Sequence, residues 1–239
     1  MYPAINVGIE DLYIGPSNSS ATNGSHIRFS LAAYCWVSNI ESKKPTYYHI
    51  SISKSMNITV YGSYFHKGNV DYGPGKAYGI FITNKSTSCL VENNIFYWLR
   101  HGICLAGGAN GNVYGYNFSY RTVGDDDPLP DVYAQYTDFA YSDIFLHGHY
   151  PFANLIEGNV GHFIYIDQCW GKNGLFNMIY KNATLNHDES YGLRIDDNNP
   201  EQNVIGNYIA FKFSWIAYAA GYPQGYEIYD DNVYEYHNY

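Results

Sequence analysis

Three titratable residues recur at the last position of one repeated four-residue strand. They are His147 in Ile144-Phe-Leu-His147, Asp167 in Ile164-Tyr-Ile-Asp167 and Asp196 in Leu193-Arg-Ile-Asp196. The first and third positions are aliphatic, so alternation turns them inward and the second and fourth outward. Stacked as neighbouring strands, the three groups lie about 4.8 Å apart at Cα level. The other outward column supplies Phe145, Tyr165 and Arg194, and His149 and Asp197 follow in the adjoining turns. Two adjacent carboxylates cannot both ionise freely without a partner. One raised carboxyl could act as general acid while the other serves as base or nucleophile, the chemistry of glycoside hydrolysis. Alternatively the Asp pair could hold Ca²⁺, with Arg194 as base or substrate clamp in a β-elimination. The plain structural reading is an ion network of Arg194 with the two Asp residues. On the functional reading Asp167, Asp196, His147 and Arg194 carry catalysis, and Tyr165, His149, Asp197 and Phe145 contact substrate. A second column, Glu92 and Glu157 with Tyr180 beneath, is interrupted by Gly115.

The elements that must position these groups come from a longer repeat. Asn112-Val-Tyr-Gly-Tyr-Asn117, Asn154-Leu-Ile-Glu-Gly-Asn159 and Asn177-Met-Ile-Tyr-Lys-Asn182 share one pattern, with degenerate copies ending at Asn94 and Asn207. The closing Asn returns after 23 residues from Asn94 to Asn117 and again from Asn159 to Asn182. Such a period means stacked units, none of which buries its own apolar face. Units this short, rich in Val, Ile, Tyr and Phe, are strands. The fold expected is all-β, a right-handed parallel β-helix over residues 1–239 with coils of about 23 residues. Asn94, Asn117, Asn159, Asn182 and Asn207 form the expected ladder, each amide bonding the next, with the Asn also taking the left-handed turn conformation. The four-residue strand recurs at Ile80-Phe-Ile-Thr83, Ile103-Cys-Leu-Ala106 and Ile216-Ala-Tyr-Ala219.

Insertions at 67–76, 121–140 and 186–190 break the period, and in solenoids such loops often wall a binding groove. The second carries Asp125-Asp126-Asp127, where Asp125 and Asp127 are the weak calcium candidates, although a spaced ligand pattern is lacking. No other cofactor is expected. Charged residues make up only 15% of the chain and the net charge is −9, which excludes a nucleic-acid partner and repels a polyanion unless a cation or local Arg mediates. No apolar run reaches membrane-span length. The four Cys residues form no CxxC pair, and Cys35 and Cys89 fall in one column two coils apart, so buried free thiols are expected. Of six Asn-x-Ser/Thr sequons, Asn117 and Asn182 fall in the buried ladder. Asn18, Asn23, Asn57 and Asn84 are therefore the acceptors expected in a glycosylating host. Both ends read as strand without a capping helix. The expectation is a segment of a longer chain, or self-association through coil ends or a Tyr-rich face.

These coils, with Leu146-His-Gly-His-Tyr-Pro151 and Asn154-Leu-Ile-Glu-Gly-Asn159, resemble the pectate-lyase-like superfamily of right-handed parallel β-helix proteins, in a poorly characterised bacterial branch. The resemblance implies an extracellular protein that binds and cleaves a polysaccharide, as glycosidase or lyase. The alternative it implies is a non-catalytic spike, adhesin or filament subunit. The hydrolase branch of polygalacturonases is matched only in pieces, His147-Gly-His149 and Arg194-Ile-Asp196 with Asp197, out of order.

Overall fold

A computed structural model describes residues 3–16, 24–69, 72–120, 142–185, 192–196, 199 and 201–209. Their regular structure is all strand, and every strand pairing is parallel. Three long sheets run through the described residues. Sheet I has eight strands from Gly8–Glu10 to Asn203–Ile205, sheet II eight from Tyr13–Ile14 to Tyr208–Ile209, and sheet III seven from Ile27–Ser30 to Leu193–Ile195. One coil visits the three sheets in turn. Leu90–Glu92, Ile95–Tyr97 and His101–Leu105 make one coil, and Val113–Gly115, Phe118–Tyr120 and Ser142–His147 make the next. This is a right-handed parallel β-helix, the hand that parallel crossovers adopt. No helix among the described residues is long and apolar enough to cross a membrane.

The sequence alternation sets the register of sheet III. Ile27, Ile50, Ile80, Ile103, Ile144, Ile164 and Leu193 pair in one inward column, coil on coil. All are buried in one continuous core. β-Branched side chains suit this pleated, close-packed surface, and each buried Ile contributes roughly 1.5–3 kcal/mol.

The five expected asparagines form one buried column. Asn94 Nδ2 donates to Asn117 Oδ1 at 3.0 Å, Asn117 to Asn159 at 2.9 Å, Asn159 to Asn182 at 2.9 Å and Asn182 to Asn207 at 3.0 Å. The bond from Asn117 to Asn159 spans 42 residues, because the inserted sequence falls between the strands Phe118–Tyr120 and Ser142–His147, and the stack continues in register across it. One part of the expectation is corrected. The left-handed residue is the one before the ladder Asn: Asn93, Tyr116, Gly158, Lys181 and Gly206 have φ of 56°, 56°, 63°, 51° and 64°. The ladder side chain needs a backbone aimed into the core, so the turn places its strained residue one position earlier, on the exposed corner.

A second ladder at the corner entering sheet I uses the opening Asn of the same motif. Asn112 donates to Asn154, Asn154 to Asn177 and Asn177 to Gln202, each at 2.9 Å. Cys35, Ile58 and Cys89 precede Asn112 in this column. Cys35, Cys89 and Cys104 are buried free thiols, but Cys169 is exposed, because it lies in the turn after Asp167 rather than in a strand.

His49 and His101 are sealed into the interior, and His26 is half-buried beside His49. Ser42 Oγ lies 2.8 Å from His26 Nδ1 and 2.7 Å from His49 Nδ1, so the single hydroxyl proton serves one ring while the oxygen accepts from the other. Burial pushes His26 down to about 4. Burial, and then the neighbouring His26 and His66, push His49 well below the usual histidine range, and burial next to Arg100 does the same to His101. Nε2 of all three has no hydrogen-bond partner. The folded form therefore refuses protons that the unfolded chain takes up below pH 6.5, so stability falls as pH drops from about 6.5 toward 4. We expect a loss of up to about 1.4 kcal/mol per pH unit for each fully buried imidazole. Urea midpoints measured from pH 7 to pH 5 check this, and equal midpoints at both ends of that range would refute it.

Candidate functional site

The outward face of sheet III brings the predicted cluster together. His147 pairs with Asp167 across neighbouring strands, and Tyr165 with Arg194. Asp196 follows in the same register, its backbone N–H donating to Ile166 O at 2.9 Å. Asp167 and Asp196 thus sit on adjacent coils.

The polar contacts divide the cluster into two linked parts. In the first, His147 Nδ1 donates to Asp167 Oδ2 at 2.7 Å. Trp170 Nε1–H donates to His147 Nε2, also at 2.7 Å. An indole nitrogen can only donate, so these contacts assign the neutral imidazole with its proton on Nδ1. In the second, Arg194 Nε donates to Asp196 Oδ1 at 2.7 Å and Tyr165 Oη to Asp196 Oδ2 at 2.8 Å. The Arg194 guanidinium lies over the Tyr165 ring, 5.1 Å from its centroid. Burial and the Asp196 carboxylate raise the Tyr165 phenol far above its ordinary range, so it stays protonated. The exposed Cys169 thiol is raised by partial burial and by the charges of Asp167 and Asp196, which weakens it as a nucleophile.

Phe145 joins the two parts from beneath. Its ring centroid is 4.4 Å from that of His147 and 5.4 Å from that of Tyr165. Together with Tyr78, Cys104, Phe163 and Tyr165 it forms a second apolar cluster, outside the main core. This cluster corrects the expectation that outward means exposed. Asp167 is 3% exposed and Tyr165 8%. Large rings in one outward column shield the shorter side chains in the next, a packing that alternation alone does not reveal. The two carboxylates are therefore not a free surface pair. Asp196 is engaged by Arg194 and Tyr165, and Asp167 lies under His147 with its Oδ1 buried and unpartnered.

Two groups at this site carry no signal in the strand pattern. Trp170, 57% exposed, stands in the turn after Asp167, and the His149 ring lies 6.2 Å from it. Asn173 Nδ2 donates to the Asp167 carbonyl at 2.5 Å and to Asn199 Oδ1 at 3.0 Å, which pins the end of the Ile164–Asp167 strand. The separation of 26 residues between Asn173 and Asn199 is close to the ladder period, and could have revealed this third amide column.

Other candidates are placed as follows. Glu92, Gly115, Glu157 and Tyr180 share one register column of sheet I, with the two Glu residues two coils apart. Asn84 is exposed and Asn57 half-buried, whereas Asn117 and Asn182 are buried. Asp197, Asp125, Asp127, Asn18, Asn23, Ile216-Ala-Tyr-Ala219 and the insertions at 121–140 and 186–190 lie outside the described residues. Among the described residues no group of three or more His, Cys, Asp or Glu side chains converges as a metal site.

No protein-family model matches the chain, and no curated protein matches it in sequence. Among solved structures it is similar to the A-module of the Azotobacter vinelandii mannuronan C-5 epimerase AlgE6, at 10% identity and a TM-score of 0.28. The match covers 85% of this chain and 58% of that one.

Proposed function

We propose that the chain is an extracellular β-helix protein that binds and cleaves a polysaccharide on the outward face of sheet III. The observation that carries this reading is the His147–Asp167 pair: a half-buried imidazole, backed by a buried carboxylate, beside an exposed tryptophan. His147 is the proton-transfer group, and Asp167 is a positioning residue that fixes its tautomer and would stabilise its charged form. Tyr and Trp faces stack on sugar rings while their polar tips reach hydroxyls, which gives Trp170 and His149 a place in substrate contact.

Elimination from an acidic sugar suits this arrangement better than two-carboxylate hydrolysis. Hydrolysis needs two carboxyls that face the substrate, whereas Asp167 is covered and Asp196 is held twice. Elimination needs a base for a carbon-bound proton and a cation for the sugar carboxylate, roles open to His147 and Arg194. The non-catalytic alternative draws support from the exposed Tyr13, Ile95, Phe118 and Tyr120 on sheet II, a surface suited to lateral association. Incubating the protein with a panel of neutral and acidic polysaccharides, and reading both reducing ends and unsaturated products, tests the proposal. Unsaturated ends from an acidic glycan are the expected result. Binding without any product would favour the adhesive reading.

A further inference from the structure

Both ring nitrogens of His147 are already used: Nδ1 toward Asp167 and Nε2 by the Trp170 indole. A neutral imidazole has one acceptor nitrogen, and the indole N–H occupies it. His147 therefore cannot take a proton from any ligand while Trp170 is in place. Yet Trp170 is poorly anchored for so large a side chain. More than half of its surface is in solvent, so little apolar burial holds it over the ring.

The turn that carries Trp170 rests on glycines. Gly171 N–H donates to Gln168 O at 2.9 Å, and Gly171 has φ of 96° with open space where a Cβ would be. Beneath it, Gly148 has φ of 61°. A Cβ on Gly148 would sit 3.2 Å from the Trp170 backbone N and C and closer still to the Gly171 carbonyl. Only glycine lets the turn settle against the end of the Ser142–His147 strand.

We propose that Trp170 is a latch on His147: its indole N–H occupies the Nε2 lone pair that must face the ligand's carbon-bound proton, and binding displaces the indole from it. This rests on the reading of His147 as the proton-transfer group, and it adds the residue that controls access to that group. No proton moves in the displacement. A ligand that does not displace the indole leaves the latch closed, so the site selects for a glycan unit that seats directly over Nε2.

Diethyl pyrocarbonate reads the latch without any glycan. The Nε2 lone pair attacks the reagent's carbonyl carbon, ethyl carbonate leaves, and the Nδ1 proton is lost to solvent. Peptide mass spectrometry on the full chain follows His147, with the exposed His149 as internal reference. The expected result is that His147 reacts about tenfold more slowly than His149 in the native protein, about the effect of one intact hydrogen bond. Trp170→Phe keeps the ring and removes the donor, and should raise the His147 rate about tenfold with His149 unchanged. Gly148→Ala, which lifts the turn, should raise it as well. A native His147 as reactive as His149, or a rate unchanged in Trp170→Phe, overturns the latch. Glycan turnover combined with freely labelled native His147 would remove the latch alone. Protected His147 with no turnover of any glycan would remove the functional reading and keep the latch.

Discussion

Replacing Asp167 by Asn should lower kcat on the responsive glycan by about 10²–10⁴-fold, with KM and fold unchanged. Asp167 Oδ2 accepts the Nδ1 proton of His147 at 2.7 Å and so sets which nitrogen faces the substrate. An amide of the same shape can present N–H₂ to that nitrogen and select the wrong tautomer. It also carries no charge to stabilise an imidazolium. Losses of this order follow when the acid that orients a catalytic histidine becomes an amide. The stability should hold or rise, because Asp167 Oδ1 is buried without a partner and the substitution removes a buried charge. Asp196→Asn should also lower activity, since it unties Arg194 and Tyr165. Steady-state kinetics with a thermal melt on each variant separates the effects. Full activity in both would move the chemistry elsewhere, with Glu92 and Glu157 next.

Truncating the middle of the ladder should cost the fold about 3–5 kcal/mol. Asn159 Nδ2 donates to Asn182 Oδ1 at 2.9 Å and to Tyr114 O at 3.0 Å. Its Oδ1 accepts from the Asn117 backbone N–H at 3.0 Å and from Asn117 Nδ2 at 2.9 Å. Asn159→Ala leaves the buried donors of Asn117 and the buried carbonyl of Tyr114 with bonds unmade, and each such group costs about 1–3 kcal/mol. Partial relaxation keeps the total below a simple sum. Asn159→Asp should be at least as damaging, because it keeps the acceptor, removes the donor and buries a charge. Urea unfolding gives the comparison, and a loss under about 1 kcal/mol for Asn159→Ala would contradict the ladder's role.

The ladder from Asn94 to Asn207 is legible in the sequence because stacked amides demand the same residue at the same place in each coil. The alternation of Ile144-Phe-Leu-His147 and its copies likewise gives the correct register, since inward Ile columns tolerate no slip. The left-handed corner is less legible. Tyr116 and Lys181 occupy it as well as Gly158 and Gly206, so composition does not mark it. Burial of the outward face is not legible at all. Alternation separates inside from outside, but Phe145 stacking on Tyr165, with His147 beside Phe145 on the same strand, depends on ring size across two coils. Trp170 escapes for a related reason: it lies in a turn, where the period has no hold, and its role appears only when its indole meets His147.

The most direct measurement compares the native protein and His147→Ala on the same panel of polysaccharides. Both should bind the responsive glycan, because the Arg194, Tyr165 and Trp170 side chains are retained. The native chain should release new ends from that glycan and His147→Ala none above background. Equal product from both, or none from the native chain on any glycan, would contradict an active site at His147.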